Sequence, residues 1–363
     1  MHRLYLLLRQ LLAVSYRARW WQVASLALPF LIFGLAYIAT YALGDWLYHS
    51  GNLSLGTVYL LFHYLGLLNA PLWRIVNEVQ ELQRAGGSIG RIQTLFQQQS
   101  PIRDGPGCNF PSGPLAVHFE NVTFQYGENS ELILQQFNLK LQPGQTLGLL
   151  GRTGSGKTTV TRLLLRFYDP TAGTIRLGGQ TVRQAGVADL RRHIGLVTQE
   201  VQLFQASVRD NLTFFDARVT DEQLTAVIHQ LGLDDWFARL PDGLDTILAA
   251  GGGGLSAGEA QLLAFVRVFL QDPGLIILDE ASSRLDPATE RLVDRAVQSL
   301  LHNRTGIIIA HRLETVQRVD EIMILAHGRI LEHGPRGQLA ADRNSHFFKL
   351  LQTGLEQLEG ENS

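Results

Sequence analysis

A glycine-rich segment that ends in a lysine and a threonine constrains the fold of this chain more than any other feature. Residues 151–158, GRTGSGKT, match the pattern G-x-x-x-x-G-K-[ST]; they follow the apolar run TLGLL and open the helical pattern TTVTRLLLRFY. In that context the glycines turn backbone N–H groups inward around an anion, and the helix adds its positive N-terminal end. The segment therefore predicts a strand, a phosphate-holding loop and a helix in succession.

Two side chains of this segment suit nucleotide phosphates. Lys157 stands where the pattern needs a cation for the β- and γ-phosphates, and the chain's other lysines, Lys140 and Lys349, lie far from it in sequence. Thr158 supplies a hydroxyl for Mg²⁺. A merely flexible glycine-rich turn is the alternative, and the strand and helix patterns on either side disfavour it.

Beyond residue 114 the composition is that of an α/β domain, predicted over residues 115–345. Short apolar runs (LAVHF, TLGLL, TIRL, LIILD, GIIIA, EIMIL) alternate with longer helical patterns. The run LIILD ends in two carboxylates, and parallel strands deliver their functional groups at such carboxyl ends. Asp279 is placed to hold Mg²⁺, and Glu280 to accept a proton from an attacking water.

The beginning of the chain has a different composition, with Asp45 the one charged residue between Arg19 and Arg74. The uncharged run 20–44 would rise about 37 Å as a helix, enough to cross a hydrocarbon core of about 30 Å. It predicts a transmembrane helix, and a second is predicted over 53–73. Arginines before the first span and after the second place both ends in the cytoplasm. A secretory signal peptide is the alternative, disfavoured by the length of the first run.

The remaining segments complete the predicted organisation. Residues 82–99 continue the second span into water as a helix, which ends a transmembrane part over 1–99. The four prolines and three glycines within 100–114 predict a linker, and 346–363 are predicted to form a C-terminal amphipathic helix and tail.

Charge and cysteine content exclude other classes. The net charge is −2, from 31 basic and 33 acidic residues, so no cationic field is present to hold nucleic acid. The single Cys108 excludes an intrachain disulfide and a multi-thiolate metal site.

A family resemblance rests on motifs that occur in a fixed order. LSAGE at 255–259 resembles the LSGGQ signature of ATP-binding cassette (ABC) proteins, and further family motifs contain Tyr126 (VTFQY), Gln199 (LVTQEVQLF), Asp286 (SSRLD) and His311 (IIIAHRL). Residues 53–92 also resemble the last membrane helix of type I ABC exporters and its cytoplasmic continuation. The resemblance implies a P-loop NTPase cassette of the α/β class, preceded by two transmembrane helices, in an exporter half-transporter.

The same resemblance implies roles for individual residues. Catalysis would use Glu280 as the base, together with His311, Lys157 and Gln199. Mg²⁺ would be held by Thr158, Gln199 and Asp279. Tyr126 would stack on adenine, and Ser256 and Gly258 would cap the γ-phosphate of ATP bound to a partner chain. The implied nucleotide-binding residues are Tyr126, Gly151, Arg152, Thr153, Gly154, Ser155, Gly156, Lys157, Thr158, Thr159, Ser256 and Gly258.

At the level of the whole protein, the resemblance implies ATP hydrolysis at the head-to-tail interfaces of a homodimer or heterodimer. That hydrolysis would drive export of an unidentified substrate, with a lipid or an amphipathic drug as candidates. The protein would be a multi-pass membrane protein in contact with lipid, with its cassette in the cytoplasm. ATP and Mg²⁺ are the expected cofactors.

Departures from the family pattern keep alternatives open. Ala257 and Glu259 replace a glycine and a glutamine of the signature, residues 249–254 lack an acidic residue, and Arg284 stands where a small residue is usual. The charge of Glu259 is expected to weaken the grip on ATP unless the side chain points away. The alternatives are an ATP-binding regulatory partner that does not hydrolyse, and an ABC ATPase without a transport role. A P-loop kinase or GTPase would not explain LSAGE.

The number of membrane helices poses a separate question. Type I exporters have six before the cassette, and two helices cannot enclose a path without gaps exposed to lipid. We therefore expect either that Met1 is not the natural start or that another chain supplies four more spans.

Overall fold

The computed structural model describes residues 2–52, 54–97, 100–127, 130–249, 255–279, 287–310 and 313–353. The chain divides into two compact units, Met1–Gln99 and Ser100–Ser363.

The first unit consists of two long helices. Helix α1 spans His2–His49 and α2 spans Leu55–Gln97. Ser54 lies just before α2, and its hydroxyl accepts the backbone N–H of Thr57 at 3.3 Å. This is the contact of an N-terminal cap, and it explains why the second helix begins directly after the turn.

Aromatic rings pack between the two helices. The ring centroids of Phe30 and Trp73 lie 5.1 Å apart, and those of Tyr41 and Phe62 lie 5.9 Å apart. Because residue numbers fall along α2 as they rise along α1, the helices are antiparallel and form a helical hairpin.

By length and composition, both helices contain a stretch that is apolar enough to cross a membrane. The stretch in α1 is Phe30–His49, which overlaps the second half of the predicted span 20–44, and the stretch in α2 is Leu55–Gln97. Helix α2 continues without a break through residues 82–97, as the sequence predicts.

The second unit contains two sheets. The first is antiparallel, in the order β2-β1-β4-β5, and the second has the order β10-β9-β3-β8-β7-β6 with its last five strands parallel. Their bounds are β1 Val117–Phe124, β2 Leu134–Leu141, β3 Thr146–Gly151, β4 Ala172–Leu177, β5 Gln180–Thr181, β6 Ile194–Val197, β7 Leu275–Asp279, β8 Thr305–Ile309, β9 Glu321–Ala326 and β10 Arg329–Pro335.

The described helices of this unit lie between and after its strands along the chain. They are α3 Lys157–Leu164, α4 Val187–Arg192, α5 Val208–Thr213, α6 Asp221–Gln230, α7 Asp234–Phe237, α8 Ala257–Gln271, α9 Pro287–Leu301, α10 Arg336–Ala341 and α11 His346–Thr353. Single 3₁₀ turns lie at Val182–Gln184, Gly243–Asp245 and Glu314–Val316.

Both faces of the parallel sheet are buried, each against a separate core. Along β7, Ile276 and Leu278 contribute to a core with the helices α5 to α9, whereas Leu275 and Ile277 contribute to a core shared with the antiparallel sheet and α3. Successive side chains of a strand point to opposite faces, so a strand covered on both sides must be apolar throughout. This explains why LIILD and GIIIA contain unbroken apolar runs.

Helix α3 is shorter than the pattern over 158–168 predicts. It ends at Leu164, and Arg166 has a left-handed backbone with a φ of 50°. The buried guanidinium of Arg166 donates to the carbonyl of Ala185 at 2.9 Å and pairs with Asp169 at 3.1 Å. The helix ends here because the chain turns to bring this arginine to its partners.

The predicted linker contacts the cassette along part of its length. The carbonyl of Arg103 accepts from Arg166 at 2.9 Å, and the carboxylate of Asp104 accepts the N–H of Val187 at 2.7 Å. Phe110 packs against the core beneath the antiparallel sheet. Burial raises the pKa of the Cys108 thiol, with a further contribution from Asp189, so this cysteine stays protonated at neutral pH.

Candidate functional site

The predicted strand, loop and helix are present at the glycine-rich segment. Strand β3 ends at Gly151 and α3 begins at Lys157. Gly151 and Gly156 have φ values of 147° and 110°, a region that side chains disfavour. A Cβ on Gly151 would lie 2.4 Å from the carbonyl oxygen of Leu325, and one on Gly156 would lie 2.8 Å from Leu134 Cδ2. Only glycine therefore fits either position.

The loop encloses a lysine and a serine. Lys157 is 5% exposed, and its ammonium donates to the carbonyls of Gly151 at 2.5 Å and Arg152 at 3.0 Å. Ser155 is 4% exposed, and within the described part of the chain its hydroxyl oxygen has no hydrogen-bond partner. A buried polar atom without a partner is costly, and a phosphate oxygen is a suitable acceptor for it.

The start of α3 adds backbone donors to the same loop. Its N-cap is Gly156, which has no side chain to accept the first N–H groups, so these donors can face an anion. Thr158 is exposed at the helix start, whereas Thr159 is buried. Arg152, Thr153 and Gly154 complete the turn, and the last two are exposed.

Tyr126 lies beside α3. Its hydroxyl is 3.0 Å from Thr159 Oγ1 and accepts from Arg162 Nη1 at 3.0 Å. Its ring meets those of Phe124 and Tyr168 edge to face, with centroids 4.9 and 5.0 Å away. The tyrosine is 40% exposed, so these contacts fix its ring and leave part of it open.

Polar residues predicted to act with the loop follow neighbouring strands. Asp279 ends β7 and is half-buried, and in the sheet register it pairs with Ile309 of β8, which lies beside β3. Gln199 is exposed two residues after β6. Parallel strands bring these ends to one edge of the sheet. Glu280 and His311, with Asp286 and Arg284, lie outside the described residues.

The LSAGE segment forms the beginning of α8. Ser256 is the N-cap residue: its hydroxyl accepts the N–H of Glu259 at 3.2 Å, while the Glu259 carboxylate accepts the N–H of Ser256 at 2.8 Å. This reciprocal pair is a capping box. Gly258 is buried in the first turn, whereas Ser256 is exposed.

A groove that the sequence does not predict runs between β6, α5 and α8, with a volume of about 460 Å³. Arg267 of α8 lines the groove, and its guanidinium donates to the carbonyl of Gln202 at 3.0 Å and to Asn211 Oδ1 at 3.1 Å. Its guanidinium lies 4.6 Å above the exposed ring of Phe214. Burial lowers the pKa of Arg267 to about 10, so the group stays charged at neutral pH. The one signal of this groove in the sequence is Arg267, the single charged residue in the apolar run AQLLAFVRVFL.

This glycine loop follows a central parallel strand, and the same unit contains the capped helix of the signature segment. Together these features define a P-loop nucleotide-binding cassette. Residues 134–283 match the family model described as ABC transporter. Residues 134–283 are thus an ATP-binding cassette of the ABC transporter family, which confirms the predicted family and fold and implies ATP binding at this loop.

Relatives with known names align with most of this chain. A probable multidrug resistance ABC transporter ATP-binding/permease protein, YheH of Bacillus subtilis, is 34% identical over 82% of the chain and 44% of its own length. An ATP-dependent lipid A-core flippase of Alkalilimnicola ehrlichii is 36% identical over 78% of the chain and 48% of its own length. The chain thus spans less than half of these relatives.

A solved structure resembles this chain over most of its length. The structure of a bacterial Atm1-family ABC exporter with ATP bound is 29% identical, with a TM-score of 0.68 over 89% of this chain and 56% of that one. The likeness thus extends beyond the cassette into the helical hairpin.

Proposed function

We propose that this chain is the ATP-hydrolysing subunit of an ABC exporter, and that ATP binding and hydrolysis at a head-to-tail dimer interface drive transport across a membrane. The observation that carries the proposal is the phosphate loop, in which glycines with positive φ turn the backbone around a buried lysine and a buried serine hydroxyl. A charge-dense polyphosphate suits this loop, since backbone N–H groups, a helix N-terminus and an ammonium converge there.

The described residues would bind and orient ATP in three ways. Lys157 would exchange its contacts with loop carbonyls for the β- and γ-phosphates, and Ser155 would donate its hydroxyl proton to a phosphate oxygen. The open part of the Tyr126 ring would stack on adenine. Thr159 and Arg162 support this role because they hold the tyrosine hydroxyl.

Two oxygen donors would hold a magnesium ion at the proposed site. Mg²⁺ is bound through hydroxyls, carboxylates, waters and phosphates, which matches the exposed Thr158 and the half-buried Asp279 at the carboxyl end of β7. Gln199 would be a further ligand. When bound, the ion neutralises charge on the β- and γ-phosphates and so favours departure of ADP.

The residues proposed for the hydrolytic step, Glu280 and His311, lie outside the described residues, and their roles rest on the family resemblance. Glu280 follows Asp279 directly and would take a proton from a water that attacks the γ-phosphorus in line, as the bond to the ADP oxygen breaks. His311 would hold that water and the γ-phosphate. Catalysis would then rest on positioning and charge neutralisation.

The second half of each site would come from a partner cassette. Ser256 is exposed at the start of α8, above a buried Gly258, so its hydroxyl is available to a nucleotide held by another chain. We propose a homodimer or a heterodimer with another ABC half-transporter. Two such interfaces would close on ATP and open after hydrolysis.

The helical hairpin would be the membrane part. Its outward side chains are apolar and exposed, as with Leu35 at 65%, and lipid would cover them. Since two helices per chain leave gaps, we propose that further spans complete the path from outside these residues. The proposed substrate is a lipid or an amphipathic compound, because relatives carry multidrug and lipid A-core names.

Phosphate release by the full chain in detergent micelles tests the proposal. We expect Glu280→Gln to bind ATP and to release phosphate at about one hundredth of the unsubstituted rate or less, as expected for loss of a general base. Lys157→Ala should lose nucleotide affinity. Unchanged release by Glu280→Gln would remove the assigned base, and undiminished ATP binding by Lys157→Ala would contradict the phosphate site. An unsubstituted chain that binds ATP without releasing phosphate would instead indicate a regulatory partner.

A further inference from the structure

We infer that Arg239 and Glu259 are positioning residues that together set the donor direction and the charge of the signature helix start. The inference rests on the proposed function, because it concerns the end of α8 that would cap ATP on a partner chain.

The capping box orients the Ser256 hydroxyl. Its oxygen accepts the backbone N–H of Glu259 at 3.2 Å, and the Glu259 carboxylate holds the backbone N–H of Ser256 at 2.8 Å. A serine hydroxyl has one proton to donate and lone pairs to accept. Because the helix N–H occupies a lone pair, the proton of Ser256 is directed away from the helix, toward the place of a phosphate oxygen.

The same carboxylate carries a charge that works against ATP. A negative side chain at a helix N-terminus stabilises the helix, but it opposes a second anion at that end. The sequence alone leaves open that Glu259 points away from the site. In the structure its carboxylate instead accepts the backbone N–H of Ser256, and the side chain is 23% exposed.

Arg239 offsets this charge. It follows α7, and its Nη2 lies 3.8 Å from Oε1 of Glu259, the one ion pair that Glu259 makes within the described ranges. The other carboxylate oxygen is the one that holds Ser256. The carboxylate can therefore cap the helix while the guanidinium reduces its repulsion of phosphate.

The chemistry of the pair sets the expected size of the effect. The Arg239 side chain is 68% exposed, and an exposed pair acts weakly and is screened by salt. Neither side chain is placed at the reacting atoms, so the pair should change the concentration of ATP needed and leave the rate at saturation nearly constant.

A double-substitution cycle on the full chain in detergent tests the inference. We expect Arg239→Gln to raise the KM for ATP about two- to fivefold at low salt, with kcat unchanged and the effect fading at high salt. Glu259→Gln keeps an oxygen that can cap Ser256 and removes the charge, so Arg239→Gln should have no effect in that background.

Arg192→Gln is the matched control. It breaks a similarly exposed pair, in which Arg192 is 73% exposed and lies 2.7 Å from Asp189; Arg192 contacts α8 at Gln271, the opposite end from Ser256. An Arg239→Gln protein with unsubstituted KM, or an effect of equal size in the Glu259→Gln background, would overturn the inference. An unsubstituted chain that releases no phosphate would contradict the proposed hydrolysis, and the same cycle is then measured by ATP-driven dimer formation in sedimentation, where the same pattern is expected.

Discussion

The helical hairpin and the cassette treat their apolar side chains in opposite ways. In the hairpin, Leu35 and Ile38 point outward and stay exposed, whereas in the cassette Phe265 and Ile277 are fully buried. The cassette thus contains its own core, and the hairpin needs an apolar environment or further helices around it. Stability in the cassette should therefore depend on particular residues, and stability in the hairpin on what surrounds it.

The two units also differ in how local polar contacts fix their elements. In the cassette, Ser207, Thr220 and Ser256 each cap a helix through a side-chain oxygen. Such contacts set the start of a helix to one residue. The first unit relies more on the length of two continuous helices, so its elements tolerate local change better.

The largest predicted difference concerns the core. Phe265→Ala, on α8, should lower the free energy of unfolding of the cassette by about 3–5 kcal/mol, because it leaves a cavity in a sealed core. Leu35→Ala, at a side chain exposed on α1, should leave the same transition within about 0.5 kcal/mol. Calorimetric unfolding of the full chain in detergent measures both. Equal shifts would show that the cassette does not form an independent core.

The second-largest difference between the two units is expected for the effect of glycine substitutions on ATP binding. Gly151→Ala should weaken ATP binding about tenfold or more, since a positive φ costs on the order of 1–3 kcal/mol and the new Cβ would meet a carbonyl oxygen at 2.4 Å. Gly34→Ala, in α1 with no atom within 4 Å of the added carbon, should bind ATP normally. Titration with a fluorescent ATP analogue gives both affinities. Normal binding by Gly151→Ala would contradict the described loop.

Sequence patterns predict the elements of the cassette well where a single physical rule determines the local structure. Unbroken apolar runs predict the central strands, and the glycine pattern predicts that β3 is followed by a loop and a helix, all of which the structure confirms. The start of α8 is equally predictable, because Ser256 and Glu259 have the spacing of a capping box.

Contacts between distant residues are not predictable in this way. The early end of α3 depends on Arg166 reaching Ala185 and Asp169, which no periodicity over 158–168 encodes. The partner of Glu259 is Arg239, and the groove beside Arg267 forms only when α5 and α8 pack together. Local sequence fixes the elements, whereas tertiary packing decides which charges meet.

A smaller effect is expected at a helix cap. Thr220 Oγ1 accepts the N–H of Gln223 at 3.4 Å, and the Gln223 side chain accepts the N–H of Thr220 at 3.0 Å, so α6 begins with a complete capping box. Thr220→Ala should cost about 1 kcal/mol, and Thr220→Ser should recover most of it. Thermal unfolding of the cassette measures the difference. A Thr220→Ala protein as stable as Thr220→Ser would show that the hydroxyl contributes nothing.

The smallest effect concerns an exposed ion pair of the cassette. Asp216 faces Arg218, with Nη2 2.6 Å from Oδ2 and Nε 2.9 Å from Oδ1, and side-chain and backbone hydrogen bonds from Arg218 lower the pKa of Asp216 to about 2. Because the folded pKa lies below the unfolded value of about 4, the contribution to stability is present above pH 4 and is lost as the pH falls through about 2. Arg218→Gln should return the pKa toward 4. The carboxyl ¹³C shift of Asp216 at pH 3 measures this: the carboxyl should be mainly ionised in the unsubstituted chain and more protonated in Arg218→Gln, which keeps only the backbone hydrogen bond of residue 218. Identical shifts at pH 3 would mean that this ion pair does not persist in solution, and that the local polar contacts of the cassette are weaker at its exposed turns than at its helix caps.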